Sequence, residues 1–274
     1  MKKILVLATV LFGLNTITNA QVSVTEDNNI KNFRFGLKGD LSIDWLSPDN
    51  DKKFESNGVG IGYDWGLQLE FRLNKTLSFV SGLSLKNSSG SLNYFSASSA
   101  DSTFYILDKD EEFVPFDTAA ANVATNTVYF LQSRKYSINY VNIPLMLKMK
   151  TNEIGYLTYF GQFGANIGIK TKARVSDESK LVNGNVVNKE KLDLTDGVQP
   201  IRFGITIGGG AEYNFSGSTS MFFGLQYNHY FTNTLTSEKN EKYLRKFDST
   251  EGTFDNVGAK AMPGSVSLTV GILF

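Results

Sequence analysis

The chain has 274 residues, with 27 Lys and Arg against 27 Asp and Glu, one His, no Cys, 25 Gly and 13% aromatic residues. The absence of cysteine excludes disulfide scaffolds, thiol nucleophiles and cysteine-ligated metal sites, and one histidine argues against histidine-based metal centres and triads. Balanced charge supplies no basic face for nucleic acid, and the apolar and aromatic content excludes a disordered chain.

Lys2 and Lys3 precede an apolar run from Ile4 to Leu14, and Thr18-Asn19-Ala20 ends in a small residue. This is the layout of a secretory signal peptide, so residues 1–20 are read as an export signal cut after Ala20. The run is too short to cross the hydrocarbon layer, which takes about 20 apolar residues. With no Cys at the cut, a lipoprotein anchor is not expected. Residues 21–32 read as an N-terminal periplasmic segment and residues 33–274 as one β-barrel domain.

From residue 33 onward the recurring period is two. Phe33, Phe35, Leu37, Leu41, Ile43 and Trp45 alternate with Arg34, Gly36, Lys38, Asp40, Ser42 and Asp44. Ile61, Tyr63, Trp65, Leu67, Leu69 and Phe71 alternate with Gly62, Asp64, Gly66, Gln68, Glu70 and Arg72. The same alternation runs through residues 77–86, 157–170, 201–215, 220–232 and 265–274. Residues 136–150 alternate less cleanly, with an apparent slip of the apolar phase near Tyr140 and Val141 that suggests a bulge. These eight segments predict long strands with one apolar and one polar face. Pro144 sits inside one of them. Proline cannot donate to a ladder, so a bulge or a missing ladder bond is expected there, bending the strand.

The connections separate the two ends of these strands. Three are short, around Asn74-Lys75, Thr151-Asn152-Glu153 and Ser216-Gly217-Ser218; four are long, at residues 46–58, 87–135, 171–200 and 233–264. Strict alternation of short and long connections is the pattern of a transmembrane β-barrel, with tight periplasmic turns and long extracellular loops. A soluble sandwich or lipocalin-like barrel also alternates. It would, however, put apolar core where this chain puts Lys38, Asp40, Asp64, Glu70, Lys86, Lys148, Arg202 and Glu212. The predicted fold is therefore an all-β, closed antiparallel transmembrane barrel of eight strands in the outer membrane of a Gram-negative bacterium. Thr103–Leu107 and Thr127–Leu131 are also β-prone and either pair as a hairpin above the membrane or extend the barrel to ten strands.

The Ala20-Gln21 junction, the stretch Tyr140-Val141-Asn142-Ile143-Pro144-Leu145-Met146-Leu147-Lys148, the Gly-rich continuation from Gly155-Tyr156 to Gly164-Ala165-Asn166, and the terminal Val270-Gly271-Ile272-Leu273-Phe274 resemble the PorT-like outer-membrane β-barrel family. The resemblance covers most of the mature chain in architecture and implies an outer-membrane location; the signal-peptide layout makes the Sec pathway the expected route there. It implies no single activity: the role of the name-giving member in type IX secretion does not follow from these residues. Phe274 resembles the C-terminal aromatic that the barrel assembly machinery recognises.

No catalytic, cofactor or metal site is read from the sequence. Gly208-Gly209-Gly210 lacks the Lys-Ser/Thr of a phosphate loop and lies within a strand pattern. His229 falls on the outward phase between Tyr227 and Phe231. Asp40, Asp44 and Asp64 are expected to pair with Arg34, Lys38 and Lys86 rather than hold a cation, and the run Asp108 to Glu112 lacks calcium-loop spacing. Arg34, Lys38, Asp40, Asp64, Glu70, Arg72, Lys86, Arg202 and Glu212 share the inward phase and are predicted to fill the lumen as a charge network. An eight-stranded barrel is only wide enough for its own side chains, which disfavours an open pore. The reading is a non-enzymatic barrel with a structural or binding role in its extracellular loops; an outer-membrane enzyme acting on lipid or peptide and a small pore are the alternatives. Its expected partners are outer-membrane lipids, the assembly machinery and an extracellular or secretion-system component, with no nucleic acid.

Overall fold

A computed structural model describes residues 32–49, 55–94, 103–116, 126–216, 219–235, 243–248, 253–257 and 260–274. The proposed signal peptide and nearly all of the N-terminal segment lie outside them. The strands are β1 (Phe33–Pro48), β2 (Glu55–Arg72), β3 (Leu77–Asn93), β4 (Thr103–Leu107), β5 (Thr127–Lys150), β6 (Leu157–Lys180), β7 (Val186–Asp193), β8 (Ile201–Ser216), β9 (Thr219–Tyr230), β10 (Arg245–Asp248), β11 (Thr253–Asn256) and β12 (Ala261–Leu273). Eight of them pair in the closed ring β1-β2-β3-β5-β6-β8-β9-β12, sealed by the antiparallel β1–β12 pair from Gly36↔Leu273 to Pro48↔Ala261. The Thr103–Leu107 hairpin forms above the ring, with Phe104 opposite Phe130, and does not enter it.

The facing of each residue follows from the alternation. Leu41, Ile61, Leu67, Ile207 and Leu225 point outward, between 52% and 79% exposed, while Arg34, Glu70, Lys148, Arg202 and Glu212 are at most 2% exposed inside. A water-soluble barrel would invert this. Hydrocarbon outside and a polar lumen inside make it stable, and ring closure satisfies the backbone groups that lipid cannot. Two tight turns at one end are locally encoded. Asn74 accepts hydrogen bonds from the amides of Thr76 (2.9 Å) and Leu77 (2.7 Å), and Gly155 takes a positive φ of 68° that glycine adopts without strain. By the rule that tight turns face the periplasm, the opposite end is extracellular.

Pro144 pairs with Asn166 on β6 without a register shift. On its other side the β3 ladder stops after Val80↔Met146 and resumes in the same register at Ser84↔Asn142. The missing ladder bonds are there, opposite Gly82, but the bulge is not.

The apparent slip at Tyr140–Val141 has a different cause from the one expected on β5. Even-numbered residues of β5 face inward from Arg134 to Lys148. What changes is the medium on each side. Below Val141 the outward residues are Val141, Ile143, Leu145, Leu147 and Met149, and the inward ones include Asn142 and Lys148. Above it the outward residues are Asn139, Ser137 and Lys135, and Tyr136, Ile138 and Tyr140 are buried inside. The strand leaves the bilayer at this level, so the apolar side moves from the lipid face to the interior. The bulge is on the partner strand, where Thr171 is inserted between Tyr140↔Lys170 and Asn139↔Lys172.

Above the crossing, β3, β5 and β6 continue and are joined by β4, β7, β10 and β11 into an extracellular head. Its apolar core includes Leu92, Tyr105, Leu131, Val175, Leu192 and Leu235.

Candidate functional site

The lumen is filled in tiers. At the periplasmic end Arg34 (β1), Glu70 (β2), Lys148 and Lys150 (β5) and Glu212 (β8) converge. Arg34 Nη2 donates to Glu70 and to Glu212, each at 2.9 Å, and its Nη1 to Ser220 Oγ at 3.0 Å. Lys148 lies 3.4 Å from Glu70 and also contacts Glu212; Lys150 lies 3.0 Å from Glu212 and also contacts Glu70. Three cations thus share two carboxylates away from water. The Phe160 and Phe222 rings lie 4.1 and 5.5 Å from Lys148 Nζ, adding cation–π attraction.

Halfway up, Lys38 Nζ sits 2.9 Å from Asp40 and 3.5 Å from Asp64. Beside them is a cavity of about 30 Å³ lined by Gln68, Lys86, Asn142 and Asn228 among others. That is room for about two water molecules. Higher, Lys86 lies 3.6 Å from Asp44, which also accepts the Ser89 amide at 3.0 Å.

Arg202 differs from the other buried cations: no described carboxylate lies within 4.0 Å of it. Its guanidinium is held between the Tyr140 and Tyr230 rings, at 3.6 and 4.1 Å, with long hydrogen bonds to Ser88 Oγ (3.4 Å) and Asn142 Oδ1 (3.3 Å). The ring faces supply the negative potential.

Of the residues expected in one network, Arg34, Glu70 and Glu212 meet at the floor and Lys38, Asp40 and Asp64 in the middle. Lys86 pairs with Asp44, Arg202 has aromatic partners, and Arg72, half-buried at the periplasmic end, joins no ion pair among the described residues. Arg34 takes glutamate partners, not the aspartates expected for it. Lys148 and Lys150 complete the floor and were readable from the inward parity of β5. Phe160 and Phe222 break the polar phase, so alternation gave no signal for them.

The head carries its own buried pair. Arg134 Nε and Nη2 donate to the two Asp177 oxygens at 2.7 and 2.6 Å, flanked by the Tyr105 and Phe113 rings. Burial pushes the Tyr105 phenol up. In the head a cleft of about 530 Å³ is lined by Glu111, Glu112, Glu190, Asp193, Asp196 and Tyr243, among others. Lys189 reaches Glu111 at 2.5 Å, and Asp193 accepts the Thr195 amide at 2.8 Å. The Asp108–Glu112 run forms a tight turn in which Asp108 accepts the amides of Asp110 and Glu112, each at 2.9 Å. Among the described residues no three potential metal ligands converge. His229 stacks on Tyr227 and meets Phe231 edge-on, within the outward aromatic rim. Phe274 is 41% exposed, and its ring lies 5.8 Å from Phe35.

An apolar outer belt, a closed ring of strands and a lumen packed with ion pairs define an outer-membrane β-barrel protein. The chain belongs to the outer membrane protein beta-barrel domain family, whose pattern matches residues 19–236. No curated protein matches it. Among solved structures it is similar to Neisserial surface protein A (12% identity, TM-score 0.36, covering 87% of this chain and 95% of that one). It is also similar to OprG from Pseudomonas aeruginosa (10% identity, TM-score 0.40, covering 89% and 96%). The outer membrane protease OmpT from Escherichia coli is a third (9% identity, TM-score 0.40, covering 92% and 99%).

Proposed function

We propose that the protein is a non-enzymatic outer-membrane barrel whose extracellular head binds a partner. The head carries this reading: β5 and β6 run well beyond the apolar belt to support a separate apolar core and a 530 Å³ cleft. Extracellular strands with a core of their own hold a surface rigid, as recognition requires. The tiered ion pairs serve as a permanent lumen plug. The small central cavity weighs against a pore, and the lipid-facing place of the single histidine weighs against histidine-based catalysis. Membership of the PorT-like group, Sec export with cleavage after Ala20, and recognition of Phe274 by the assembly machinery belong to the same reading, supported by the sequence features given above.

The test compares the full-length protein with a variant whose residues 103–116 and 181–198 are replaced by Gly-Ser linkers, in crosslinking and pull-down from intact outer membranes. A partner retained by the first and lost by the second is expected. Unitary conductance steps in planar bilayers, or turnover of lipopolysaccharide, phospholipid or peptide, would replace this reading with the pore or the enzyme.

A further inference from the structure

Immediately above the apolar belt, the outward face of β5 and β6 turns basic. The last lipid-facing pair is Val141↔Ile169. The outward pairs above it are Asn139↔Lys172, Ser137↔Arg174 and Lys135↔Ser176. Three cations therefore follow one another over about 14 Å of a single face, at about 3.4 Å per residue. Lys135 and Arg174 are exposed and Lys172 is half-buried. None of them forms an ion pair with a described residue within 4.0 Å. Asp193, opposite Arg174, accepts the Thr195 amide and is stabilised as a carboxylate by Lys172 and Arg174, and Glu178 follows one outward pair above; three cations against these two carboxylates leave the strip net positive. The buried cations of the lumen have carboxylates or ring faces against them. These three face outward at the height where the lipid headgroups begin.

We propose that Lys135, Lys172 and Arg174 form a docking strip for the phosphate groups of the outer-leaflet glycolipid, lipid A. The strip is continuous with the belt, so a lipid whose acyl chains lie along Val141, Ile143, Ile167 and Ile169 presents its headgroup to these side chains. Lysine and arginine suit this position because their apolar stems lie along the barrel wall while the charged ends reach the phosphates. Such a strip fixes the height and tilt of the β5–β6 side, and with it the orientation of the head.

The experiment titrates folded, detergent-solubilised full-length protein with diphosphoryl lipid A and with enzymatically dephosphorylated lipid A, reading bound lipid by native mass spectrometry. The wild type is expected to prefer the diphosphoryl form. Replacing Lys135→Gln, Lys172→Gln and Arg174→Gln together is expected to weaken that form about a hundredfold, at about fivefold per cation near an anionic surface, and to abolish the preference. A Lys180→Gln, Lys189→Gln control, which alters charge elsewhere on the head, is expected to keep both. Retained affinity in the triple variant, equal loss in the control, or no preference in the wild type overturns the proposal. Heat-modifiable migration reports that each variant is folded; should the triple variant fail that check, Lys135→Gln alone is read, with an expected loss of about fivefold.

Discussion

The crossing on β5 makes one face of one strand answer to two solvents, which an arginine scan can measure. Leu145 lies midway between Val141 and Met149, the outward ends of the belt on this strand, and is 38% exposed. Those ends are about 27 Å apart along the strand at ~3.4 Å per residue, or about 21 Å along the membrane normal at a tilt of ~40°. Leu145→Arg thus places a guanidinium about 10 Å from either edge of the belt, where the cost is about 2–4 kcal/mol. Ser133 faces the same way but lies about 20 Å above the belt by the same reckoning, and its partner across the ladder is Glu178. Ser133→Arg is expected to change stability by no more than about 0.5 kcal/mol. The facing is unchanged above the crossing, but the apolar side is now the interior. Ile138, 3% exposed in the head core, is expected to lose about 2–5 kcal/mol as Ile138→Ala. Each variant is refolded into lipid vesicles across a denaturant series, followed by the fluorescence of Trp45 and Trp65 and by heat-modifiable migration. Equal costs at 145 and 133 would refute the assignment of the crossing, and a neutral Leu145→Arg would remove lipid from that face altogether.

Two further outcomes follow from the buried charges. Glu212→Gln leaves Arg34, Lys148 and Lys150 to Glu70 alone and should cost about 3–5 kcal/mol, less where water reaches the floor, in the same titration; a loss under about 1 kcal/mol, the scale of exposed pairs, would mean that the cluster is hydrated. Arg134→Ala strands Asp177 inside the head and should accelerate amide exchange in β4 and the upper parts of β5 and β6 while the belt strands keep their protection; an unchanged exchange pattern would show that the pair does not hold the head together.

The membrane part of this fold is readable because lipid and lumen demand opposite chemistry at every second residue. Leu67 and Gln68, or Ile205 and Thr206, declare their sides on their own. The head is less legible for the same reason. Once β5 passes Tyr140 the apolar residues belong to the interior, and a reader who follows hydrophobicity sees a slip where the facing is unchanged. The edge strand β7, Val-Val-Asn-Lys-Glu-Lys-Leu-Asp, has too little alternation to stand out. Which charges point inward was legible, but not which of them meet. Arg34 and Glu212 are 178 positions apart, and only the closed ring brings them face to face. The tyrosine pair around Arg202 comes from β5 and β9 and leaves no trace in local spacing.

The β1–β12 seam governs how such a molecule can be made. Its partners, Gly36 and Leu273 among them, are nearly a whole chain apart, so the ring waits for the last strand. An open intermediate would expose two rows of unpaired backbone groups to hydrocarbon, which a bilayer does not tolerate. Pairing across so long a loop is also intrinsically slow. Assembly therefore has to shelter both unpaired edges until the final strand arrives, and insertion and closure become one event. Early strands cannot settle stably in the bilayer ahead of the late ones, and a chain stopped short of β12 has no partial barrel to fall back on.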